Sequence, residues 1–184
     1  NGNRDCLLGQ QWASTGGAEL LTEQYLLKTE QRSILLTHGD EFCLDDADYQ
    51  SFRQMVRNPA WQQTTLALPL EQRLALASKL REGSQSAAQE KSYDIMDVTE
   101  LPISELMEQV SAQLIIHGHT HRPALHEFSH YCRLVLGDWD QQAWLAVYAD
   151  GELKQFRISL EILEQSSALP PLWNELTPEH KLNF

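Results

Sequence analysis

The sequence predicts an α/β fold whose C-terminal half is rich in strands. Three patterns support this prediction. Two β-leaning runs, 24–29 and 33–37, lie close together, and a helical pattern at 103–111 leads directly into an apolar β run at 112–116. From Ala124 onward, apolar residues alternate in the manner of strands. With 184 residues, 42% of them apolar and 22% charged, the chain has the composition of one globular domain rather than of a disordered or collagenous chain.

Composition also excludes several function classes. The longest apolar run, 143–149, is far shorter than the roughly 20 residues of a membrane-spanning helix. The formal net charge of −12 repels polyphosphate backbones, so bulk nucleic-acid binding is disfavoured. Cys6, Cys43 and Cys132 lack CxxC spacing and are expected to be reduced thiols.

The N-terminal third combines a short helix with a pair of strands. Leu7–Ser14 is predicted to be helical and to end at Gly16-Gly17, because glycine tolerates the left-handed conformation that closes many helices. The runs 24–29 and 33–37 are joined by three polar residues. They are expected to form a hairpin or neighbouring strands.

A helical insertion follows from Asp46 to about Ala88. Apolar residues recur at helical spacing, and Pro59 and Pro69 divide the segment into two or three helices. Its apolar side chains are too many to face a single core. Two alternatives remain open, an apolar groove or lid and a small helical hairpin that packs on itself.

The rest of the chain is predicted as a helix, a strand and then an antiparallel region. The helix covers Ile103–Ser111, the strand covers Ala112–Ile116, and three or four antiparallel strands follow. Asp150-Gly151 is typical of a two-residue turn between two of them. Residues 164–184 lack a clear period and are expected to form a tail or a loosely docked helix.

Three histidines within five residues point to metal chemistry. His117, His119 and His121 would project to one side of an extended backbone, and neutral imidazole is a common ligand for Mn, Fe, Zn and Ni. The alternative is a solvated histidine-rich loop. His38 also follows an apolar β run, although alone it suits a core histidine equally well.

A third segment completes a plausible ligand set. Gly2-Asn3-Arg4-Asp5 offers an amide oxygen, a guanidinium and a carboxylate before a helix, although Gly-Asn alone is first of all a turn signal. An Asn carbonyl with two imidazoles makes a mixed oxygen and nitrogen set, and the adjacent Arg would hold phosphate oxygens bidentately. Taken together, the three segments favour a metal site that handles phosphate groups.

These motifs resemble a known family. Gly2-Asn3-Arg4-Asp5, Thr37-His38-Gly39-Asp40 and Gly118-His119-Thr120-His121 look like the last three motifs of the calcineurin-like metallophosphoesterases. Arg4, where most of that superfamily has His, indicates the UDP-2,3-diacylglucosamine pyrophosphohydrolase branch of lipid A biosynthesis. The resemblance covers about residues 1–158.

The resemblance implies a domain layout and an activity. Residues 1–45 and 92–158 would belong to a two-sheet sandwich, 46–91 to a helical cap and 159–184 to a C-terminal tail. The expected reaction is manganese-dependent hydrolysis of UDP-2,3-diacylglucosamine to UMP and 2,3-diacylglucosamine 1-phosphate, with two manganese ions activating water. The apolar cap would receive the acyl chains of this lipid substrate, which implies a cytoplasmic protein peripheral to the inner membrane.

The resemblance also implies roles for individual residues. One manganese would be held by Asn3, His38 and His119, and the other would be contacted by His121. Arg4 and His119 are the expected catalytic residues. The expected substrate contacts are Asn3, Arg4, Asp46, Ser84, Lys91 and His119. One family contact, an Asn, aligns with Ala88, so that contact is absent or replaced.

Three of these residues also suit purely structural roles. Asp46 would serve equally as a helix N-cap, Ser84 as a polar residue near a helix end, and Lys91 as a solvated charge.

The family's two earlier motifs, an Asp-x-His and a Gly-Asp, are not found in this sequence. On that basis these 184 residues are expected to be inactive alone. Two further readings stay open. One is a metallophosphoesterase of different substrate range, and the other is a catalytically incomplete chain that binds one metal or none.

Overall fold

The computed structural model describes residue 2 and residues 5–92, 94–165 and 176–183. Helices within these residues are α1 (Gln10–Thr15), α2 (Ala47–Val56), α3 (Pro59–Leu66), α4 (Leu70–Glu90), α5 (Glu100–Val110) and α6 (Leu160–Gln165). Strands are β1 (Gln24–Lys28), β2 (Ser33–Thr37), β3 (Leu114–His117), β4 (Ala124–Glu127), β5 (Cys132–Val135), β6 (Gln142–Ala149), β7 (Glu152–Ser159) and β8 (His180–Asn183). No helix in the described ranges is long and apolar enough to cross a membrane.

The chain divides into two compact units. The first, the helical unit, comprises residues 1–22 and 40–100, and the second, the sheet unit, comprises residues 23–39 and 101–184. This division differs from the expected layout, because residues 1–22, 40–45 and 92–100 group with the helices and residues 159–184 group with the sheets. Local contacts explain the difference: the Gln62 side chain donates to the Cys6 carbonyl at 3.2 Å, and the Thr99 amide donates to the Phe42 carbonyl at 2.8 Å.

The larger sheet has five strands in the order β1-β2-β3-β5-β4. β1 and β2 form the expected antiparallel hairpin, while β3 lies parallel to both β2 and β5. β4 then returns antiparallel to β5. The expected antiparallel strands after Ala124 are confirmed, since β4 pairs with β5 and β6 pairs with β7. The parallel pairing of β5 with β3 was not predicted, because alternation identifies a strand but not its partner.

The smaller sheet has the order β6-β7-β8. Asp150 (φ 52°) and Gly151 (φ 78°) form the expected two-residue turn between β6 and β7, since positive φ at both residues matches the right-handed twist of a hairpin. β8 lies within the segment that was expected to be a tail. It pairs with β7 from Gln155↔His180 to Glu152↔Asn183, and a four-residue edge strand is too short to show a period in sequence.

The two sheets pack face to face around one apolar core. Ile34, Leu114 and Leu134 from the larger sheet are at most 1% exposed and meet Leu153 from β7. A buried polar link crosses this core: the Gln155 side chain donates to the Val135 carbonyl at 2.8 Å and accepts from His180 Nδ1 at 2.7 Å. The sheet unit is thus the expected two-sheet α/β sandwich.

The helical unit contains the expected insertion as three helices, and each boundary has a local cause. Asp46 caps α2 by accepting from the Tyr49 amide at 3.0 Å. Asn58 caps α3 by accepting from the Ala60 amide at 2.9 Å, and Pro59 occupies the first turn, where it removes no helical hydrogen bond. α4 then follows Pro69.

Candidate functional site

His38 and His119 follow neighbouring parallel strands. β2 ends at Thr37, β3 ends at His117, and Leu36 pairs with Ile116. Because the carboxyl ends of parallel strands share one edge of a sheet, both histidines emerge at the same edge. Their ring centroids lie 5.0 Å apart with the planes at 67°.

The loop after β3 has an unusual backbone conformation at two of its histidines. His119 (φ 63°) and His121 (φ 53°) both have left-handed conformations, which non-glycine residues adopt only when the surrounding structure enforces them. The prediction that His117, His119 and His121 project to one side is therefore wrong, because the backbone is not extended here.

The three histidines of this loop consequently have three different surroundings. His117 is 1% exposed inside the sheet unit. His119 faces His38. His121 is largely exposed, with its Nδ1 3.6 Å from a carboxylate oxygen of Asp138.

The residues described at this edge fit a divalent metal in part. Two imidazoles this close supply two neutral nitrogen ligands of the type that Mn, Fe and Zn accept. Among residues 5–92, 94–165 and 176–183, no group of three His, Cys, Asp or Glu side chains is arranged to hold a metal. Asn3 and Arg4, an expected ligand and an expected catalytic residue, lie outside the described residues.

Asp46 and Lys91 lie together in the helical unit. The Lys91 ammonium donates to Asp46 Oδ1 and lies 3.8 Å from Asp48 Oδ2. The side chains of Lys91 and Asp46 are only 17% and 9% exposed. Lys91 is therefore not a solvated charge, whereas the N-cap role of Asp46 is confirmed. The hydrogen bond from the Tyr49 amide holds Asp46, and with it the ion pair to Lys91, at the start of α2.

Ser84 lines a cavity of about 500 Å³ within the helical unit. The walls are mainly apolar and come from the segment before α1 and from α2, α3 and α4. They include Leu7, Phe52, Val56, Trp61, Leu76, Ala77 and Leu80. Arg73 and Arg81 add two cations. Burial raises the pKa of the Cys6 thiol in this wall, so the thiol stays protonated at neutral pH.

The structure also contains a buried cluster of charged residues around Asp40 that the sequence analysis did not predict. Asp40 is 1% exposed, and its Oδ2 accepts from Arg57 Nη2 at 3.0 Å and from the Tyr49 hydroxyl at 3.1 Å. Arg53 Nε lies 3.2 Å from the same oxygen. Burial, followed by the neighbouring Asp40 charge, raises the pKa of Tyr49 well above its usual value. The only sequence signal was that Asp40 ends the Thr-His-Gly-Asp motif.

The sheet unit is a two-sheet α/β sandwich with a pair of imidazoles at the carboxyl ends of adjacent parallel strands. This class of arrangement suits metal-assisted chemistry. Comparison with protein-family models finds no match.

Comparison with curated proteins is more informative. UDP-2,3-diacylglucosamine hydrolase of Bordetella parapertussis is 47% identical over 161 residues, which cover 82% of this chain and 62% of that protein. The enzyme of that name from Cellvibrio japonicus is 47% identical over 148 residues, 78% of this chain and 62% of the relative. That of Serratia proteamaculans is 44% identical over 162 residues, 85% of this chain and 68% of the relative.

The chain belongs to the UDP-2,3-diacylglucosamine hydrolase family. It spans 62% of the length of the Bordetella and Cellvibrio relatives. Among solved structures, vacuolar protein sorting 29 of Cryptosporidium parvum aligns at 10% identity with a TM-score of 0.38, covering 76% of this chain and 51% of that one. A zinc complex of Vps29 from Entamoeba histolytica aligns at 15% identity with a TM-score of 0.34, covering 81% and 60%.

Proposed function

We propose that this chain carries part of the active site of a metal-dependent pyrophosphohydrolase. The reaction would be hydrolysis of UDP-2,3-diacylglucosamine to UMP and 2,3-diacylglucosamine 1-phosphate. The observation that carries the proposal is the pairing of His38 and His119, whose rings lie 5.0 Å apart at one sheet edge. Relatives at 44–47% identity named for this substrate support the choice of reaction.

The proposed metal is manganese. Asn3, His38 and His119 would hold one ion, and His121 would contribute to a second. When bound, such ions supply Lewis acidity, which lowers the pKa of water and offsets charge on phosphoryl oxygens. The two described imidazoles are of a type that manganese and zinc both accept, and the amide oxygen of Asn3 would complete the proposed set.

Charged side chains of the chain would bind and orient the pyrophosphate. Arg4 carries a planar guanidinium that can donate two parallel hydrogen bonds to phosphate oxygens. Lys91 carries a compact ammonium, and its contact with Asp46, the residue that caps α2, holds that ammonium in one place before substrate arrives. Asn3, Ser84 and His119 would provide further polar contacts to the nucleotide-sugar.

The cavity in the helical unit is the proposed site for the acyl chains. Its walls combine apolar side chains from α2, α3 and α4 with Ser84 and two arginines, which suits a lipid that also carries polar groups. Leu66, Leu70 and Leu74 are 48%, 63% and 61% exposed. Their exposure supports peripheral contact with a membrane surface, which we place at the cytoplasmic face of the inner membrane.

The test uses the intact protein with manganese and three substrates: UDP-2,3-diacylglucosamine, UDP-glucose and a simple aryl phosphodiester. We expect the protein at its natural length to release UMP from the acylated substrate, with little hydrolysis of the other two, whereas these 184 residues alone are expected to be inactive. Preferential hydrolysis of the soluble substrates would favour a metallophosphoesterase of different range. Absence of all three activities, with one bound metal or none, would identify an incomplete enzyme.

An Arg4→Lys variant separates charge from shape in the same assay. The variant keeps the positive charge but loses the fork, so turnover should fall while the manganese content stays unchanged. Loss of manganese in this variant would give Arg4 a structural role instead.

A further inference from the structure

One imidazole at the sheet edge has no role in the proposed function. His117 is the last residue of β3 and is 1% exposed. Its Nδ1 lies 3.0 Å from the Gly118 carbonyl oxygen, and its Nε2 lies 3.5 Å from Nη1 of Arg133. Because a guanidinium only donates, Nε2 accepts and Nδ1 carries the proton. Both ring nitrogens are therefore directed at protein atoms.

The ring of His117 packs against the loop that carries His38. Gly39 has φ 100°, and a Cβ added there would lie 2.7 Å from His117 Nδ1 and 3.1 Å from His117 Cβ and Cγ. Only glycine fits at this distance, since real Cβ atoms do not approach so closely. The width of the imidazole therefore limits how near the loop after β2 can come to the loop after β3.

Hydrogen bonds fix both sides of this contact. The Gly118 amide donates to the His38 carbonyl at 3.1 Å, which ties the two histidine loops directly. The Leu136 amide donates to the His117 carbonyl at 2.7 Å, which ties the end of β3 to the segment after β5. Arg133, itself 8% exposed and on β5, supports the far edge of the ring.

We propose that His117 is a positioning residue whose ring, supported by Arg133, sets the separation between His38 and His119. This inference rests on the proposed metal-binding role of those two histidines. A smaller side chain at position 117 removes the contact with Gly39, so the two loops can shift relative to each other. The metal then meets two imidazoles that are no longer held in place.

The test compares three variants of the intact protein: His117→Ala, His117→Asn and Leu153→Ala. Manganese affinity is measured by calorimetry, and urea unfolding of each metal-free variant shows that it is folded. We expect His117→Ala to lower manganese affinity by about 10- to 100-fold, as is typical when a partner outside the ligand set is lost. His117→Asn, whose amide can occupy the position of Nδ1 beside Gly39 but cannot reach Arg133, should restore part of that affinity. Leu153→Ala opens the core away from the loops and should leave affinity unchanged.

Two affinity results would overturn the proposal. One is wild-type manganese affinity in His117→Ala, and the other is an equal loss in Leu153→Ala, which would make the effect one of general stability. If His117→Ala does not fold, Arg133→Lys tests the same support with the charge retained. A loss of at least tenfold in affinity is then expected, and unchanged affinity overturns the proposal.

A second readout needs no metal and so separates this proposal from the proposed function. Hydrogen exchange at the Gly118 amide, which donates to the His38 carbonyl, should be faster in His117→Ala than in the wild type and intermediate in His117→Asn. Unchanged exchange would refute the positioning role. A wild-type protein that binds no manganese, yet shows this exchange pattern, would refute the metal assignment alone.

Discussion

His38 and His119 are distinguished by the contact between their two rings. Each follows a strand end, and the strand ends are neighbours in a parallel pair. The left-handed conformation of His119 is unfavourable for a residue with a Cβ, and the strand pairing and loop hydrogen bonds hold it. This is the kind of strain that metal and catalytic sites retain.

The first prediction concerns His119. His119→Ala should lower manganese affinity by more than the roughly 10- to 100-fold expected for an outer partner, because a ligand itself is lost. The matched controls are His126→Ala and His130→Ala, and both should bind manganese normally. His126 lies on β4, and His130 contacts Ser104 and Glu108. Calorimetric titration measures all three, and equal affinity across them would remove the metal-site assignment.

The second prediction concerns Asp40. Asp40→Ala leaves Arg53 and Arg57 without the buried carboxylate they both contact, so the free energy of unfolding should fall by about 3–5 kcal/mol. Asp48→Ala, in the first turn of α2 and 92% exposed, is the control and should change it by no more than about 0.5 kcal/mol. Urea denaturation checks both, and similar small effects would show that the Asp40 cluster is not stabilising.

Helices and strands differed in how much of them the sequence could predict. The hairpin, α5 and β3 carry their own periodicity, so they were predictable from local pattern. β8 and the parallel pairing of β5 depend on partners far along the chain, which alternation does not encode. Within the site, the residues indicated His38 and the histidine loop 117–121, and the family resemblance singled out His119 in that loop. It did not distinguish the buried His117, because burial is decided by Gly39 and Arg133 from other strands or loops.

The third prediction separates two roles of Asp46 at the start of α2. Asn caps helices as well as Asp does, so Asp46→Asn should lose only the ion pair with Lys91, whereas Asp46→Ala should lose about 1 kcal/mol more because the cap is lost too. Asp46→Asn nevertheless removes the charge that holds Lys91, so KM for the UDP-sugar should rise. Urea denaturation and steady-state kinetics measure the two effects. An unchanged KM in Asp46→Asn would leave Asp46 with its capping role alone.

The fourth prediction concerns the attachment of β8 to β7. Lys154 and Lys181 lie opposite each other, and the Glu152 carboxylate accepts from both at 2.7 and 2.6 Å. These hydrogen bonds lower the pKa of Glu152 from 4.5 to about 2. Because the folded-state pKa is the lower one, this stabilisation is present above about pH 4.5 and is lost as the pH falls toward 2.

Hydrogen exchange at the Leu182 amide should therefore accelerate between pH 4.5 and 2 beyond its intrinsic pH dependence. Glu152→Gln should show fast exchange throughout and no such step, whereas Glu164→Gln, on α6, should behave as the wild type. A step of the same size in Glu152→Gln would assign the effect to another group.

At the scale of the whole molecule, charge is the main constraint on the proposed reaction. The chain has a formal net charge of −12, and its proposed substrate is itself anionic. Such a protein repels a pyrophosphate unless local cations compensate. Arg4, Lys91 and bound divalent ions would provide that compensation, so the proposed reaction depends on metal rather than on the protein's own field.

The most direct test of the central claim is manganese-dependent UMP release by the intact protein. The protein is freed of metal by chelation, supplied with UDP-2,3-diacylglucosamine, and assayed before and after manganese is added. We expect the wild-type protein to release no UMP before manganese is added and to release it afterwards. His38→Ala and His119→Ala should release none at the manganese concentration that is optimal for the wild type. Release of UMP by the chelated protein, or wild-type release by either variant, would contradict the claim.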